Sequence, residues 1–481
     1  MKRKLLALLM FVVMLFSTAS MTACNDSGKI KPDFGKLLEE VPAGGYDNSE
    51  VTIRFYHTMG TNLKPILERY IGVFNQIYPN IHVEQEAIGG YDDVRDQIKT
   101  QLTTGLNPHI AYCYPDHVAL YNVAGKVQPL DVLINSKEPD ALSGGVTGLT
   151  EAQIADFIPA YYEEGREFAD GQMYTLPMSK STEVLYYNAT FFAEHNLEVP
   201  TTWEGMAELC RKIKTIDPNC YPLGYDSEAN WFITMCEQLN SPYTSAQAEK
   251  PEDHFLFDNE TNHEFIKTLR GWYKEGLFTT QELYGAYTSG LFVQLEEGKQ
   301  RSYMSIGSSA GATHQRPKAN DDGSYPFEVG IAPIPQWNAD NQKVISQGPS
   351  LCIFQKTNPQ EVLASWLFVK FLTTNVAFQA TFSMESGYVP VIQSVSANET
   401  YAGWLNGANG GDKIAALSVK VCLEQKDNYY TSPAFNGSSE ARDQVGALLR
   451  KCITHADDAT ADATIAKAFA DAIAECVYAA S

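Results

Sequence analysis

Residues 51–113 read VTIRFYHTMGTNLKPILERYIGVFNQIYPNIHVEQEAIGGYDDVRDQIKTQLTTGLNPHIAYC. Short apolar or alternating runs in this stretch are typical of strands, and the segments between them carry apolar residues at helical spacing. The predicted strands are 51–55, 81–84 and 109–113, and the predicted helices are 63–78 and 91–102. The order is βαβαβ, which favours an α/β layer architecture.

The same alternation continues along the chain. Further strands are predicted at 183–187, 302–306 and 327–332, and further helices at 203–214, 230–239 and 361–373, with two more helices after Arg442. About 430 residues follow residue 51, which is too many for one hydrophobic core and suits two domains.

The N-terminus predicts export. Basic residues at 2–4 precede an apolar run at 5–16, which is shorter than the ~20 residues that a membrane-spanning helix needs. Thr22-Ala23-Cys24 follows and resembles the lipobox of bacterial lipoproteins, in which the cysteine is acylated. We therefore expect a signal peptide at 1–23, lipid attachment at Cys24, a tether at 24–50 and an extracytoplasmic protein anchored to the bacterial cell membrane. An ordinary secretory signal is the alternative.

Charge and cysteine spacing exclude several classes of partner. The formal charge of -22 opposes nucleic acid, because phosphate backbones are bound by basic surfaces. Eight cysteines remain after Cys24, and the sequence contains no CxxC pair or zinc-like spacing. We expect no metal and no cofactor. The export setting permits disulfides without requiring them, so the pairing of these cysteines stays open.

Four spaced blocks carry a family resemblance. The segment YTLPMSKSTEVLYYNATFFAEHNLEVPTTWEGM (174–206) resembles the region where sugar-type solute-binding proteins of ABC importers cross between lobes. GKQRSYMSIGSSAG (298–311), VGIAPIP (329–335) and ASWLFVKFLTTNVAFQATFSMESGYVPV (364–391) agree in order. Within these family 1 type proteins, glycerol-phosphate binders are the most similar, and the maltose-binding type is more distant.

The resemblance implies a two-lobed, periplasmic-binding-protein-like α/β fold with discontinuous lobes and a hinge cleft. The first lobe would take residues 51–182 plus 305–355, and the second 183–304 plus 356–481. The protein would be a monomer that closes on a sugar, oligosaccharide or polyol and presents it to the permease subunits of an ABC importer.

The resemblance also supplies ligand-binding positions. Tyr91 in GGYDD and Asp116 in YCYPDH match ligand-contacting tyrosine and acidic residues of glycerol-phosphate binders. Asp116 could instead begin the following helix as a capping residue after Pro115. The full matched set is Tyr91, Asp116, Ser181, Trp231, Ser308, Ser309, Gly348, Tyr388 and Phe435.

One departure from the family concerns phosphate. An arginine near the C-terminal loop holds the phosphate in glycerol-phosphate binders, whereas SPAFNGSSEAR offers Phe435 and Asn436 at that place, with Arg442 seven residues after Phe435. Without a cation at the cleft, a neutral saccharide is the preferred ligand. Glycerol phosphate or a phosphodiester is the alternative.

Three other functions were weighed. Gly307-Ser308-Ser309-Ala310-Gly311 is a GxSxG that would make Ser309 an esterase nucleophile, but no HGGG loop precedes it. The later histidines are His314, close in sequence, and His455. Paired carboxylates could serve a glycosidase, though no pair stands out, and a surface lipoprotein could be purely adhesive. We expect a binding protein with no catalytic residues.

Overall fold

The computed structural model describes residues 30–407 and 413–481. The predicted signal peptide and Cys24 lie outside the described residues. In chain order the strands are β1 (Val51–His57), β2 (Ile81–Ala87), β3 (Ile110–Cys113), β4 (Pro139–Asp140), β5 (Gly145–Val146), β6 (Leu176–Pro177), β7 (Glu183–Asn188), β8 (Leu223–Tyr225), β9 (Phe278–Thr280), β10 (Met304–Ser308), β11 (Val329–Ala332), β12 (Val344–Ile345), β13 (Ser350–Ile353) and β14 (Tyr429–Tyr430).

Helices lie in most of the connections between these strands. The α-helices are α1 (Lys64–Ile77), α2 (Tyr91–Leu102), α3 (Pro115–Asn122), α4 (Asp131–Ile134), α5 (Glu151–Asp156), α6 (Pro159–Glu163), α7 (Ala189–Glu194), α8 (Trp203–Ile216), α9 (Glu228–Gln238), α10 (Glu260–Lys274), α11 (Gln281–Tyr284), α12 (Ser289–Phe292), α13 (Pro359–Thr374), α14 (Val376–Ser386), α15 (Glu399–Leu405), α16 (Lys413–Glu424), α17 (Ser438–Ile453) and α18 (Ala461–Ala480). Short 3₁₀ segments lie at Glu164–Arg166, Pro251–His254, Ser309–Gln315, Gln393–Ala397, Lys426–Asn428 and Asp458–Thr460.

The first sheet has the strand order β2-β1-β3-β13-β6. β1 pairs in parallel with β2 and β3, whereas β13 runs antiparallel to β3 and β6. Its core includes Phe55, Phe74 and Phe368, whose rings pack edge to face at 5.1–6.1 Å between centroids. The predicted βαβαβ unit is confirmed here, since each of its strands and helices forms within a few residues of the expected bounds.

The second sheet has the order β11-β7-β10-β8-β9. β7 lies antiparallel to β10 and β11, and β8 is parallel to β10 and β9. A second core, with Trp203, Trp231 and Phe278 fully or almost fully buried, fills the space between this sheet and its helices. Two sheets flanked by helices give the predicted α/β architecture with two lobes.

The strand pairing corrects the predicted lobe boundaries in two places. Residues 305–355 were assigned to the first lobe, yet β10 and β11 pair with β7 in the second sheet. Residues after 356 were assigned to the second lobe, yet α13 packs on β1 of the first sheet. Sequence order alone does not reveal which sheet receives a strand, because the chain crosses between the sheets several times.

The predicted tether is wrong from residue 30 onward, because this segment packs on the body. The Asp33 carboxylate accepts hydrogen bonds from the Thr357 backbone N–H at 3.0 Å and from its hydroxyl. The Leu38 N–H donates to the Gln128 side chain at 2.7 Å. Tyr46 is buried, only 7% exposed. Residues 30–50 therefore form a strap fixed to the first sheet's side of the molecule.

In the described ranges no single helix has the length and hydropathy to cross a membrane, although the bent pair α13 and α14 meets that criterion by length and composition when combined. The eight cysteines among these residues are buried free thiols. No group of three His, Cys, Asp or Glu side chains in the same ranges is arranged to hold a metal ion.

Candidate functional site

A cavity of about 690 Å³ is lined by residues from both sides of the molecule. From the first sheet's side come Gly90, Tyr91, Asp92, Asp93, Arg95, Tyr114, Pro115, Asp116, His117 and Glu164. From the second sheet's side come Ile233, Tyr243, Thr244, Tyr287, Ile345, Ser346, Gln347, Thr431, Ser432, Pro433, Ser438, Ser439, Arg442 and Asp443. A pocket of this size can enclose a small polar ligand.

Three helices begin at the cavity wall. α2 starts at Tyr91, α3 at Pro115 and α17 at Ser438. The first-turn N–H groups of a helix lack intrahelical partners, and that end of the helix carries partial positive charge. The Asp93 carboxylate already accepts from the Gly90 N–H at 2.7 Å. The other N–H groups of these turns suit oxygen acceptors such as hydroxyls or an anionic group.

Tyrosines form the wall on the first sheet's side. The rings of Tyr91 and Tyr114 are 4.7 Å apart between centroids, and Tyr112 stacks beyond Tyr91 at 6.5 Å. The Tyr91 and Tyr388 hydroxyls are 3.4 Å apart. Burial raises the pKa of Tyr91 well above 10, so its phenol stays protonated and can donate. The two predicted tyrosines, Tyr91 and Tyr388, thus lie together, but only Tyr91 lines the cavity.

Asp116 lies in the first turn of α3 and lines the cavity, but it does not cap the helix, because Tyr114 is the N-cap residue and no side chain makes a cap hydrogen bond there. Within the described residues its carboxylate makes no hydrogen bond or ion pair with the protein. The neighbouring imidazole of His117 has a pKa lowered mainly by burial, with Asp116 opposing that effect. Asp116 is therefore a half-buried carboxylate that is free to accept hydrogen bonds from a ligand.

Arg442 on α17 contradicts the expectation that the cleft holds no cation. Its guanidinium lines the cavity and donates to the Asn230 side-chain oxygen. Asn230 in turn donates to Glu183 at 2.9 Å and to Gln347 at 3.0 Å. Among the described residues no carboxylate forms an ion pair with Arg442. In sequence, Arg442 follows the loop that corresponds to the family's phosphate-binding arginine. It lies near the start of α17, and that position brings it into the cleft.

Buried Glu183 anchors this network and should make stability depend on pH. Burial raises its pKa from the usual 4.5 to about 7, although hydrogen bonds from Tyr225 and Asn230 and the charge of Arg442 oppose the rise and Asp226 adds to it. Between those values the native protein keeps a proton that the unfolded chain releases. The free energy of unfolding should therefore fall by up to about 3 kcal/mol as pH rises through this window.

Urea unfolding at pH 5 and pH 7.5 would measure that loss. Glu183→Gln removes the titrating group, so the variant should lose less stability than the wild type between the two pH values. The comparison cancels the contribution of Asp226, whose pKa is also raised by burial. Equal losses in both proteins would contradict the assignment to Glu183.

Arg95 joins the two sides of the cavity. Its guanidinium donates to Asp92 at 3.0 Å and to Asp96 at 2.9 Å on its own helix, and to the Ser439 hydroxyl of α17 at 3.3 Å. Because α2 and α17 belong to opposite sides, this contact bridges them directly. Unlike Arg442, Arg95 has its charge compensated by neighbouring carboxylates.

Trp231 does not line the cavity, which corrects its predicted role as a ligand platform. Its side chain is fully buried, stacked on Tyr225 at 4.5 Å with an interplanar angle of 6°. Trp203 and Phe278 close around it at 5.4 and 4.8 Å. Trp231 lies on α9, which turns this face inward against β8, so the residue belongs to the second core.

Three other predicted residues, all serines, lie at the crossing between the sheets rather than at the cavity wall. Ser181 exchanges backbone hydrogen bonds with Gln347. The Ser309 N–H donates to the Thr182 carbonyl at 2.8 Å, and its fully buried hydroxyl accepts from the Thr182 N–H. Ser308 caps the 3₁₀ turn that follows it. The backbone of Ser181 and the hydroxyls of Ser308 and Ser309 are therefore hydrogen-bonded within the protein.

Gly348 and Phe435 also stay behind the wall. Gly348 has φ +101°, and a Cβ there would lie 2.6 Å from the Ser179 carbonyl oxygen, so the position requires glycine for backbone packing. Phe435 is buried and stacks on His254 at 4.3 Å. Its neighbours Pro433 and Ser438 reach the cavity instead.

The cavity includes residues that sequence reasoning missed. These are Arg95, Tyr114, Glu164, Tyr243, Tyr287, Gln347 and Arg442. Tyr114 precedes Pro115 in the YCYPDH motif, from which only Asp116 is predicted as a ligand contact. Tyr243, Tyr287 and Arg442 stand in segments without a local signal, and only the fold brings them to one place.

The family model of bacterial extracellular solute-binding proteins matches residues 70–406, which is more than half of the chain. The chain belongs to this family. Among curated relatives, the sn-glycerol-3-phosphate-binding periplasmic protein UgpB of Rhizobium meliloti is 29% identical over 257 residues, covering 52% of this chain and 55% of that protein. The chain thus spans little more than half the length of that relative. The multiple sugar-binding protein of Streptococcus mutans is 22% identical, covering 71% of this chain and 76% of that protein.

A solved structure agrees with the fold. The UgpB structure from Mycobacterium tuberculosis, in complex with glycerophosphocholine, has a TM-score of 0.67 and 18% identity, and covers 89% of this chain and 97% of that one. The suspected family and the two-lobed fold are therefore confirmed. By family the chain is an extracellular solute-binding protein, and the relatives named above are binding proteins.

Proposed function

We propose that this protein captures a neutral saccharide or polyol in the 690 Å³ cavity and delivers it to an ABC importer. The observation that carries the proposal is the free Asp116 carboxylate beside the tyrosines of its own wall, in a cavity where three helices begin. Hydroxyl groups of a sugar can donate to the carboxylate and accept from helix N–H groups, while its C–H faces pack on rings.

Arg442 supports a second candidate, a glycerol phosphate or phosphodiester. The Arg442 guanidinium contacts a neutral amide and forms no ion pair with a described carboxylate. It can therefore donate two hydrogen bonds to an anionic group. The relatives include both sugar-binding and glycerol-phosphate-binding proteins. Asp116 and Asp93, which have no cationic partner among the described residues, oppose an anion from the other wall, which is why the neutral ligand stands first.

We further propose that the protein is anchored outside the cell membrane and acts by closing its lobes on the ligand. The basic start, apolar run and Cys24 support export and lipid anchoring to the cell membrane. The strap at 30–50 would then place the body close to that membrane. The cavity walls come from both sheets, which supports closure of the lobes on the ligand as the signal to the permease. We propose that the protein acts as a monomer.

We propose no catalytic role. Ser309 bonds to Thr182, and no histidine among the described residues contacts its hydroxyl. A serine nucleophile needs an adjacent base, so the GxSxG motif serves here as a strand-to-helix corner. Absence of serine-directed phosphonate labelling at Ser309, and of oligosaccharide cleavage on long incubation, would agree with a binding protein.

Ligand binding should depend on Asp116 more than on Arg442 if the ligand is neutral. Asp116→Asn should weaken binding of a saccharide identified by thermal shift about tenfold to a hundredfold, since a hydrogen bond to a charged group contributes ~1.5–3 kcal/mol. Arg442→Gln should weaken sn-glycerol 3-phosphate binding instead. Calorimetry on both variants measures the two affinities, with exposed Asp462→Asn as the control. Small-angle scattering of the same samples should show that the protein contracts on binding.

The outcomes separate the candidates. If the thermal shift occurs only with phosphorylated compounds and is lost in Arg442→Gln, the ligand is anionic and the neutral candidate is wrong. A ligand-bound protein with an unchanged radius of gyration would remove lobe closure from the mechanism. No shift with any saccharide, polyol or phosphate compound would count against solute binding itself.

A further inference from the structure

Tyr287 is the most exposed aromatic side chain on the cavity wall. It is 66% exposed, whereas Tyr243 on the same wall is 5% exposed and Tyr91 and Tyr114 opposite are half-buried. An uncovered aromatic ring costs free energy in water that a covering ligand would recover. Tyr287 is therefore positioned to be covered when the cavity is filled.

The loop that carries Tyr287 is fixed even though the ring is free. α11 ends at Tyr284, and the next residue, Gly285, reverses the chain with a φ of +80°. The next residue after Tyr287, Thr288, donates from its backbone N–H and its hydroxyl to one oxygen of Asp226, both at 2.8 Å. The backbone thus holds the tyrosine at the rim, and its ring can meet a ligand with little loss of backbone entropy.

The opposite wall of the cavity carries two further tyrosines. Tyr91 and Tyr114 pack at 4.7 Å with a tilt of 40°, and Tyr388 lies behind Tyr91. Tyr287 lies near enough to contribute to the raised pKa of Tyr388, although burial is the larger cause. The cavity therefore has aromatic rings on two sides that belong to different sheets.

We propose that Tyr287 and the Tyr91–Tyr114 pair clamp the two faces of a ring-shaped ligand, so that Tyr287 selects pyranose saccharides over open-chain polyols. This inference rests on the proposed function and narrows its ligand class. A pyranose offers two flat C–H faces that rings can cover, whereas an open-chain polyol presents no such face without loss of conformational freedom. Asp116 and the helix N–H groups would then meet the equatorial hydroxyl belt between the two rings.

The first test compares affinities by calorimetry. The probes are pyranosides (glucose, maltose, maltotriose, raffinose) and open-chain compounds (sorbitol, xylitol, sn-glycerol 3-phosphate). Tyr287→Ala should weaken pyranoside binding about tenfold or more, equivalent to ~1.4 kcal/mol, and Tyr287→Phe should restore most of it because the ring carries the effect. Tyr284→Ala is the matched control, since Tyr284 is 40% exposed three residues earlier and does not line the cavity.

The second test is protection from chemical modification of the wild-type protein. N-Acetylimidazole acylates exposed tyrosines, and peptide mass spectrometry locates the product. Tyr287 should be modified in the free protein and protected by a saturating pyranoside. Tyr478, which is 82% exposed on α18 and away from the cavity, should be modified under both conditions.

The results distinguish this inference from the proposed function. Pyranoside binding that is equal in Tyr287→Ala and Tyr284→Ala, with no protection of Tyr287, overturns the clamp while solute binding stands. Binding of open-chain compounds alone also overturns it. If no probe of either class binds the wild type, the proposed ligand class fails and the clamp fails with it.

Discussion

Trp231→Ala is expected to lower the free energy of unfolding of the ligand-free protein by about 3–5 kcal/mol. The indole is fully buried among Trp203, Tyr225 and Phe278. Removing it leaves a cavity that these stiff rings cannot fill, so transfer and packing energies are both lost. Ligand affinity of the folded variant should change little, because Trp231 does not reach the cavity wall.

Denaturant unfolding and calorimetric titration of the same variant measure both quantities. Tyr478→Ala is the control, since truncation of an exposed ring on the C-terminal helix should leave the unfolding midpoint unchanged. A Trp231→Ala protein that unfolds like the wild type and loses ligand binding would return this residue to the site and contradict its burial in the second core.

The elements of the first half of the chain could be predicted because their signals are local. The predicted helix 91–102 coincides with α2, and its amphipathic spacing directs Val94 and Ile98 into the core. β1 and β3 are apolar runs bounded by turn residues, and such runs form buried parallel strands whichever helices cover them. Local pattern therefore sufficed for the fold class.

The site was only partly predictable because side-chain direction depends on tertiary packing. Trp231 and Asn230 are adjacent on α9, yet Asn230 joins the Arg442 network while Trp231 points into the core. A one-residue difference on a helix rotates a side chain by ~100°, which no composition argument resolves. Arg442 was discounted because it lies seven residues beyond Phe435, although the start of α17 brings it to the cavity.

Dependence on tertiary packing also explains why the predictions for residues 30–50 and for the lobe boundary are wrong. Residues 30–50 lack a helical or strand period, and such a segment is typical of a tether. Their hydrogen-bonding partners, including Thr357 and Gln128, are distant in sequence. Likewise β10 could pair with either sheet by its own pattern, and only its antiparallel register with β7 decides the matter.

A buried ion pair at the crossing between the sheets leads to the second large effect. Lys180 is fully buried and Glu164 is 4% exposed, and they form a salt bridge. Lys180 also donates to the Gly348 carbonyl at 3.2 Å and to the Ser350 hydroxyl at 3.0 Å. Lys180→Met should cost about 3–5 kcal/mol of unfolding free energy, because the Glu164 carboxylate is left buried without its cation.

The pair should nevertheless contribute little beyond a neutral pair of similar shape. Desolvating two charges offsets most of their attraction, so Lys180→Met combined with Glu164→Gln should be more stable than Lys180→Met alone, by about 2 kcal/mol or more. Urea unfolding of the two single variants, the double variant and the wild type completes the cycle. Since Glu164 lines the cavity and Lys180 holds the segment carrying Gly348, the double variant should fold yet bind ligand less tightly. A double variant as unstable as the sum of the singles would show that the charges act independently, contrary to the geometry of the pair.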